Sequence, residues 1–189
     1  MLVLGLSGSL RRDSHNSTLL RAAGAELTGA DADGAHRFEV FEGLAEIPPY
    51  NEEHDTADAP ESVRALREAI AGADALLIAT PEYNGSIPGQ LKNAIDWASR
   101  PYGRASLGGK PAAVIGASMS QFGAKWAQAD LRRVLGITGA KPLERDLPLG
   151  TAHEAFDADG RLVDDAQRAE LAELVAELRQ AVTAEAIAA

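Results

Sequence analysis

Ser7, Ser9, Arg11, Ser14, Asn16 and Ser17 set four hydroxyls, a guanidinium and an amide between a short apolar run and a helical pattern. The first N–H groups of a helix have no intrahelical partner, so donors gathered there form a cradle for a phosphate. The same residue types also cap helix N-termini, and Arg11 alone is equally a solvated surface charge. A second polar stretch, Pro81-Glu82-Tyr83-Asn84-Gly85-Ser86, follows another apolar run, with Asn84-Gly85 and Pro88-Gly89 as turn signals. By residue type alone, Glu82 reads as a first-turn charge, Tyr83 as a core residue and Asn84-Gly85 as a plain turn.

Both stretches need a strand before them and a helix after them. Leu2 to Leu6 and Ala73 to Ala79 supply the strands, and Leu91, Ala94, Ile95 and Ala98 have the spacing of one helix face. Along the rest of the chain, strand-like runs at Arg37 to Phe41 and Pro111 to Ala117 alternate with helical patterns. These helices start from about Ser17, at Val63 to Ala73, at Pro88 to Ser99, at Trp126 to Gly136 and at Asp164 to Val182. A fifth strand is expected within Thr138 to Leu143, and the Ala-rich tail is expected to fray. The alternation predicts one α/β domain over residues 1–189, a doubly wound five-stranded parallel sheet of order 2-1-3-4-5. In that order strands 1 and 3 flank the switch point, and both polar loops face one ligand outside their carboxyl ends. Two further loops, Glu42 to Ala59 and Arg100 to Gly109, are expected to form the rim of that site.

Composition narrows the ligand. Eighteen basic residues against 28 acidic ones leave a net charge of −10, which opposes binding to a phosphate backbone and excludes nucleic acid as a partner. With no cysteine, thiolate nucleophiles, disulfides and Cys-ligated metals drop out, and a cytoplasmic location is the default expectation. His15, His36, His54 and His153 lack paired ligand spacing, so no metal site is expected. The apolar run at the amino terminus is too short for a signal-peptide core, and no run approaches the roughly 20 residues of a membrane span.

The first loop is neither G-x-x-x-x-G-K-[ST] nor G-x-G-x-x-G, which argues against a nucleoside triphosphate or an ordinary dinucleotide fold. Gly5-Leu6-Ser7-Gly8-Ser9 misses G-x-S-x-G by its last glycine, against a serine hydrolase. A phosphorylated receiver domain would carry an aspartate where Ser7 stands.

Gly8-Ser9-Leu10-Arg11 and Ser14-x-Asn16, with the run from Pro81-Glu82-Tyr83-Asn84 through Ser86, Pro88-Gly89 and Leu91-Lys92-Asn93-Ala94-Ile95-Asp96-Trp97, resemble the NADPH-dependent FMN reductase family. That family includes bacterial quinone, chromate and azo-dye reductases with a flavodoxin-like fold, and the resemblance spans Met1 to Leu135. It implies bound FMN, with Ser9, Arg11, Asn16 and Ser17 on its phosphate. Pro81, Glu82, Tyr83 and Asn84 would lie along the isoalloxazine ring, Gly85 would close the turn beside it, and Ser118 would be a further contact. It also implies NADPH or NADH as co-substrate, a small-molecule electron acceptor, and no catalytic acid or base for the hydride.

His15 and the stretch Ser120-Gln121-Phe122-Gly123-Ala124 depart from the family pattern. The activity implied is hydride transfer from nicotinamide through flavin to a quinone-like, azo, metal-oxyanion or free-flavin acceptor; the alternative is a flavodoxin-type electron carrier without a substrate site. The resemblance also implies a homodimer or homotetramer, with Tyr83, Arg132 and Glu144 in an inter-subunit network. Trp97 and Tyr102 are candidate dimer anchors, unless Trp97 belongs to the core.

Overall fold

Two strands carry uninterrupted apolar sequence and are buried on both faces: β3 (Ala75–Ala79) and β4 (Pro111–Ala117). Such runs belong at the centre of a parallel sheet covered on both sides. A computed structural model of the chain, describing residues 1–29 and 34–188, places them beside β1 (Leu2–Ser7) in a five-stranded sheet. The edges are β2 (Arg37–Val40) and β5 (Lys141–Leu149). All four pairings are parallel and the order is β2-β1-β3-β4-β5, as expected.

The period-two alternation of strand side chains divides the core between two faces. Leu4, Leu6, Leu76, Ile78 and Val114 pack under α2 (Glu61–Gly72), α3 (Gly89–Ala98) and α4 (Lys125–Ile137). Val3, Leu77, Ile115 and Leu147 pack under α1 (His15–Gly29) and α5 (Asp165–Ala188).

Four of the boundary differences from the sequence expectation bear on the fold. The fifth strand runs Lys141–Leu149, well beyond Thr138 to Leu143. Its Pro142 and Pro148 and its charged residues hide the apolar pattern, which an edge strand tolerates because one side forms no ladder. A bulge sets residues 143–145 opposite Ala113 alone, between the Ala112↔Pro142 and Val114↔Asp146 pairs. The tail does not fray at Val182 but continues as α5 to Ala188; Ala189 lies outside the described residues. Pro88 caps α3 rather than opening its first turn, and α1 starts at His15, two residues before Ser17.

Trp97 is fully buried, which removes it as a dimer anchor. Its Nε1–H donates to Pro48 O at 2.8 Å, and Tyr50 meets its ring edge-on at 4.8 Å. Asn93 Nδ2 donates to Pro48 O at 2.9 Å and Gln90 Nε2 to Leu44 O at 2.7 Å. The motif residues Gln90, Asn93 and Trp97 therefore hold the loop after β2 against α3. The loop Arg100 to Gly109 is not part of a rim at the carboxyl ends. Because α3 runs antiparallel to the strands, its last turn delivers Arg100 and Tyr102 to the amino ends, where Gly109 N–H bonds Gly139 O ahead of β4 and β5.

Candidate functional site

The β1–α1 and β3–α3 loops meet at the carboxyl ends of neighbouring strands, the switch point of this topology. Gly8 N–H donates to Ala79 O at 2.7 Å and locks the two loop bases together. A Cβ on Gly8 would stand 2.8 Å from Leu91 Cδ2 and 3.3 Å from Ala79 O, so a larger residue here would make the Leu91 side chain shift.

Ser14 is the cap of α1: its Oγ accepts from Asn16 N at 3.2 Å and from Ser17 N at 3.4 Å. Ahead of it, the N–H groups of residues 10–13 meet no protein acceptor among the described residues. Ser17 Oγ and Ser7 Oγ are 2.8 Å apart. These groups border a cleft of about 340 Å³ whose polar lining is Ser7, Ser9, Arg11, Arg12, Ser17, Arg21 and Glu42. Arg11, Arg12 and Arg21 make no ion pair among the described residues, and with Glu42 they are the charged residues bordering the cleft. His15, beside Arg11, is held below its ordinary pKa by burial first and by the charges of Arg11 and His153 after it.

The second loop is a two-residue hairpin turn. Tyr83 and Ser86 exchange N–H···O bonds of 3.0 and 3.2 Å, and Asn84 and Gly85 have φ of 54° and 76°. Positive φ at both central positions is the type I′ geometry that Asn-Gly favours. Ser86 Oγ donates to Asp130 Oδ2 at 2.5 Å, and that bond, with Arg133 adding to it, holds the Asp130 carboxyl below its ordinary pKa. Glu82 accepts from Trp126 N at 3.0 Å and Ala127 N at 3.1 Å through one oxygen, Oε2. It is thus a first-turn charge on α4, not on its own helix. The side chain of Ala124, the residue preceding α4, makes no capping bond, so Glu82 performs the function from 44 residues away.

The sequence profile of the NADPH-dependent FMN reductases matches residues 1–154. The chain belongs to that family. It is 46% identical over 173 residues to a NAD(P)H-dependent FMN reductase of Pseudomonas aeruginosa, covering 88% of this chain and 86% of the relative. It is 42% identical over 162 residues to a 2-hydroxy-1,4-benzoquinone reductase of a Burkholderia species, covering 85% of each. The structure of FerB, a flavoenzyme NAD(P)H:(acceptor) oxidoreductase from Paracoccus denitrificans, superposes with a TM-score of 0.85 at 40% identity over 96% of this chain and 97% of that one.

For an FMN reductase family member the cleft has a suitable donor set. Hydroxyls, unpaired N–H groups and guanidiniums converge on a volume that accepts a phosphate, and concave runs of free backbone N–H are anion sites. Ser9, Arg11 and Ser17 border the cleft. Asn16 does not. It is 3% exposed, and its Oδ1 accepts from Ala117 N at 2.8 Å while its Nδ2 donates to Ala117 O at 2.9 Å. The amide is consumed as a strut between α1 and the end of β4.

Ser118 follows that strut, with its Oγ accepting from Ser120 N at 3.2 Å. Pro81, Glu82, Tyr83, Asn84 and Gly85 line the neighbouring turn, and Tyr83 is 55% exposed rather than core. Ser7, expected in the cradle, and Glu42, at the start of the expected rim loop, border the cleft, whereas Arg12 and Arg21 were not among the expected site residues. Arg21 had a readable signal, since it stands four residues after Ser17 on one helix face. A groove of about 740 Å³ between α3 and α4 extends toward the amino ends of β4 and β5, away from this chemistry.

Proposed function

We propose that the chain is an FMN-dependent NAD(P)H oxidoreductase that passes a hydride from nicotinamide through bound flavin to a small acceptor of the quinone class. Azo compounds, metal oxyanions and free flavins are further acceptors of the same exposed site. The observation that carries this reading is the pairing, at one switch point, of a phosphate-sized polar cleft with a short, open type I′ turn.

Bound FMN supplies the hydride-accepting ring. The protein's part is binding and orientation: the N–H groups of residues 10–13, Ser9, Arg11 and Ser17 hold the phosphate, and the turn from Pro81 to Gly85 borders the ring. Glu82 fixes that turn to the head of α4, so its backbone donors keep one position while substrates exchange. With only two residues at its tip, the turn would leave one face of a bound flavin ring open to nicotinamide and then to the acceptor. No side chain need act as acid or base on the hydride itself. The named relatives are reductases, so the electron-carrier alternative is set aside.

The enzyme is cytoplasmic in this reading, and among the described residues no helix is long and apolar enough to cross a membrane. It assembles as a homodimer or homotetramer through the α3–α4 face, where Tyr102 and Ile137 are largely exposed. Within one chain Arg132 Nη1 already lies 2.7 Å from Asp146 Oδ2, leaving exposed Glu144 for a partner copy. Light scattering giving a monomer at micromolar concentration would remove the assembly.

The phosphate reading is tested by affinity. FMN should bind at one per chain and more tightly than riboflavin, and Arg11→Ala should weaken FMN by about 1.5 to 3 kcal/mol, or roughly 10- to 150-fold. Equal affinity for riboflavin, or an unchanged constant in Arg11→Ala, would return the cleft to an ordinary capped loop.

A further inference from the structure

Three side chains at the head of α4 serve neither the core nor the phosphate cleft. Phe122 and Trp126 are 44% and 46% exposed, with ring centroids 5.0 Å apart and planes at 57°. Lys125 Nζ stands 5.2 Å from the Trp126 ring centroid. Single exposed apolar residues are ordinary; here two aromatic rings pack on each other while each stays nearly half exposed.

The backbone beneath the patch is fixed. Gly123 has φ of 57°, and a Cβ there would fall 2.3 Å from the carbonyl carbon of Pro148. Lys125 N–H returns to Phe122 O at 3.1 Å. The patch is also tied to the turn beside the flavin, because Trp126 N–H is one of the two donors to Glu82.

We propose that Phe122, Trp126 and Lys125 form the acceptor subsite, a platform on which a planar, electron-poor ring of the quinone class stacks. Indole and phenyl faces carry negative charge density and attract an electron-poor ring, while Lys125 Nζ meets a carbonyl oxygen or an appended anion. On a chain of net charge −10, an anionic quinone needs such a local cation. The acids facing it are engaged elsewhere: Glu82 Oε2 holds two α4 N–H groups, and Asp130 is bonded to Ser86 and Arg133. The proposal rests on the flavin-reductase reading for its ligand class, but its test reads binding directly.

The chain has two tryptophans, and the part of the emission lost in Trp126→Phe isolates half-exposed Trp126 from buried Trp97. Titration of the oxidised, FMN-loaded protein with 1,4-naphthoquinone should quench tryptophan emission along a saturating curve. In Phe122→Ala that curve should move roughly tenfold to higher concentration, about 1.4 kcal/mol. Lys125→Met should abolish the preference for naphthoquinone-2-sulfonate over the parent quinone. Quenching that rises linearly without saturation, or a curve unmoved in Phe122→Ala, overturns the subsite. So does light scattering in which Phe122→Ala breaks an assembly formed by the wild type, since the patch is then an interface between copies. Anaerobic bleaching by NADPH on the same samples separates the two readings: normal bleaching with linear quenching sinks the subsite alone, and saturable quenching without bleaching sinks the reductase reading alone.

Discussion

Replacing Asn16 with alanine removes one side chain and strands two backbone groups. Both amide atoms of Asn16 are bonded to Ala117, at 2.8 and 2.9 Å, in a region closed to water. A buried donor or acceptor left without a partner costs about 1–3 kcal/mol, so Asn16→Ala should lose about 2–6 kcal/mol, the sum over the N–H and C=O of Ala117. That is a large share of the 5–15 kcal/mol on the order of which a domain is stable. In a domain of this size it lowers the melting midpoint by roughly 2–4 °C per kcal/mol. Urea denaturation followed by circular dichroism measures the loss, and FMN titration of the folded variant measures the cofactor. The strut role predicts a large fall in stability and an FMN dissociation constant within a few-fold of wild type. A variant of native stability whose FMN affinity has collapsed would show that Asn16 is a phosphate ligand after all.

Glu82→Ala should cost about 0.5–2 kcal/mol, the usual loss of an N-terminal cap, whereas Glu82→Gln, which keeps an acceptor oxygen, should lose only about 0.3–1 kcal/mol from the helix dipole. Equal urea midpoints for wild type and Glu82→Ala would remove the cap from the account. Stability of the FMN-free protein should fall as pH drops below the ordinary imidazole value. His15 has a lowered pKa in the folded chain, so the unfolded chain binds more protons there and acid favours it. His15→Gln should flatten that slope, and an unchanged slope would assign it to other groups.

The sheet order and the two ligand loops were legible because β1, β3 and β4 are continuous apolar runs and each loop begins where such a run ends. The fifth strand was not, since two prolines and a charged bulge occupy an edge that only tertiary pairing reveals. Within the motifs, residue types gave the chemistry but not the direction in which each side chain points. Asn16 carries a phosphate-binding amide in type, yet as the second residue of α1 it faces β4. Glu82 looks like a local first-turn charge, and its partner helix begins 43 residues later at Lys125. Gln90, Asn93 and Trp97 share a motif with the flavin turn, although their bonds go to the loop after β2. Sequence spacing records which residues occur together; the fold decides which of them face the same ligand.

The central claim is hydride transfer through a flavin held at the switch point, and anaerobic titration of the FMN-loaded protein with NADPH or NADH tests it most directly. The yellow absorbance should bleach in one two-electron step, and added quinone should restore it. Flavin that stays oxidised under either nicotinamide while dithionite reduces it would contradict the account and leave a cofactor-binding protein without this activity.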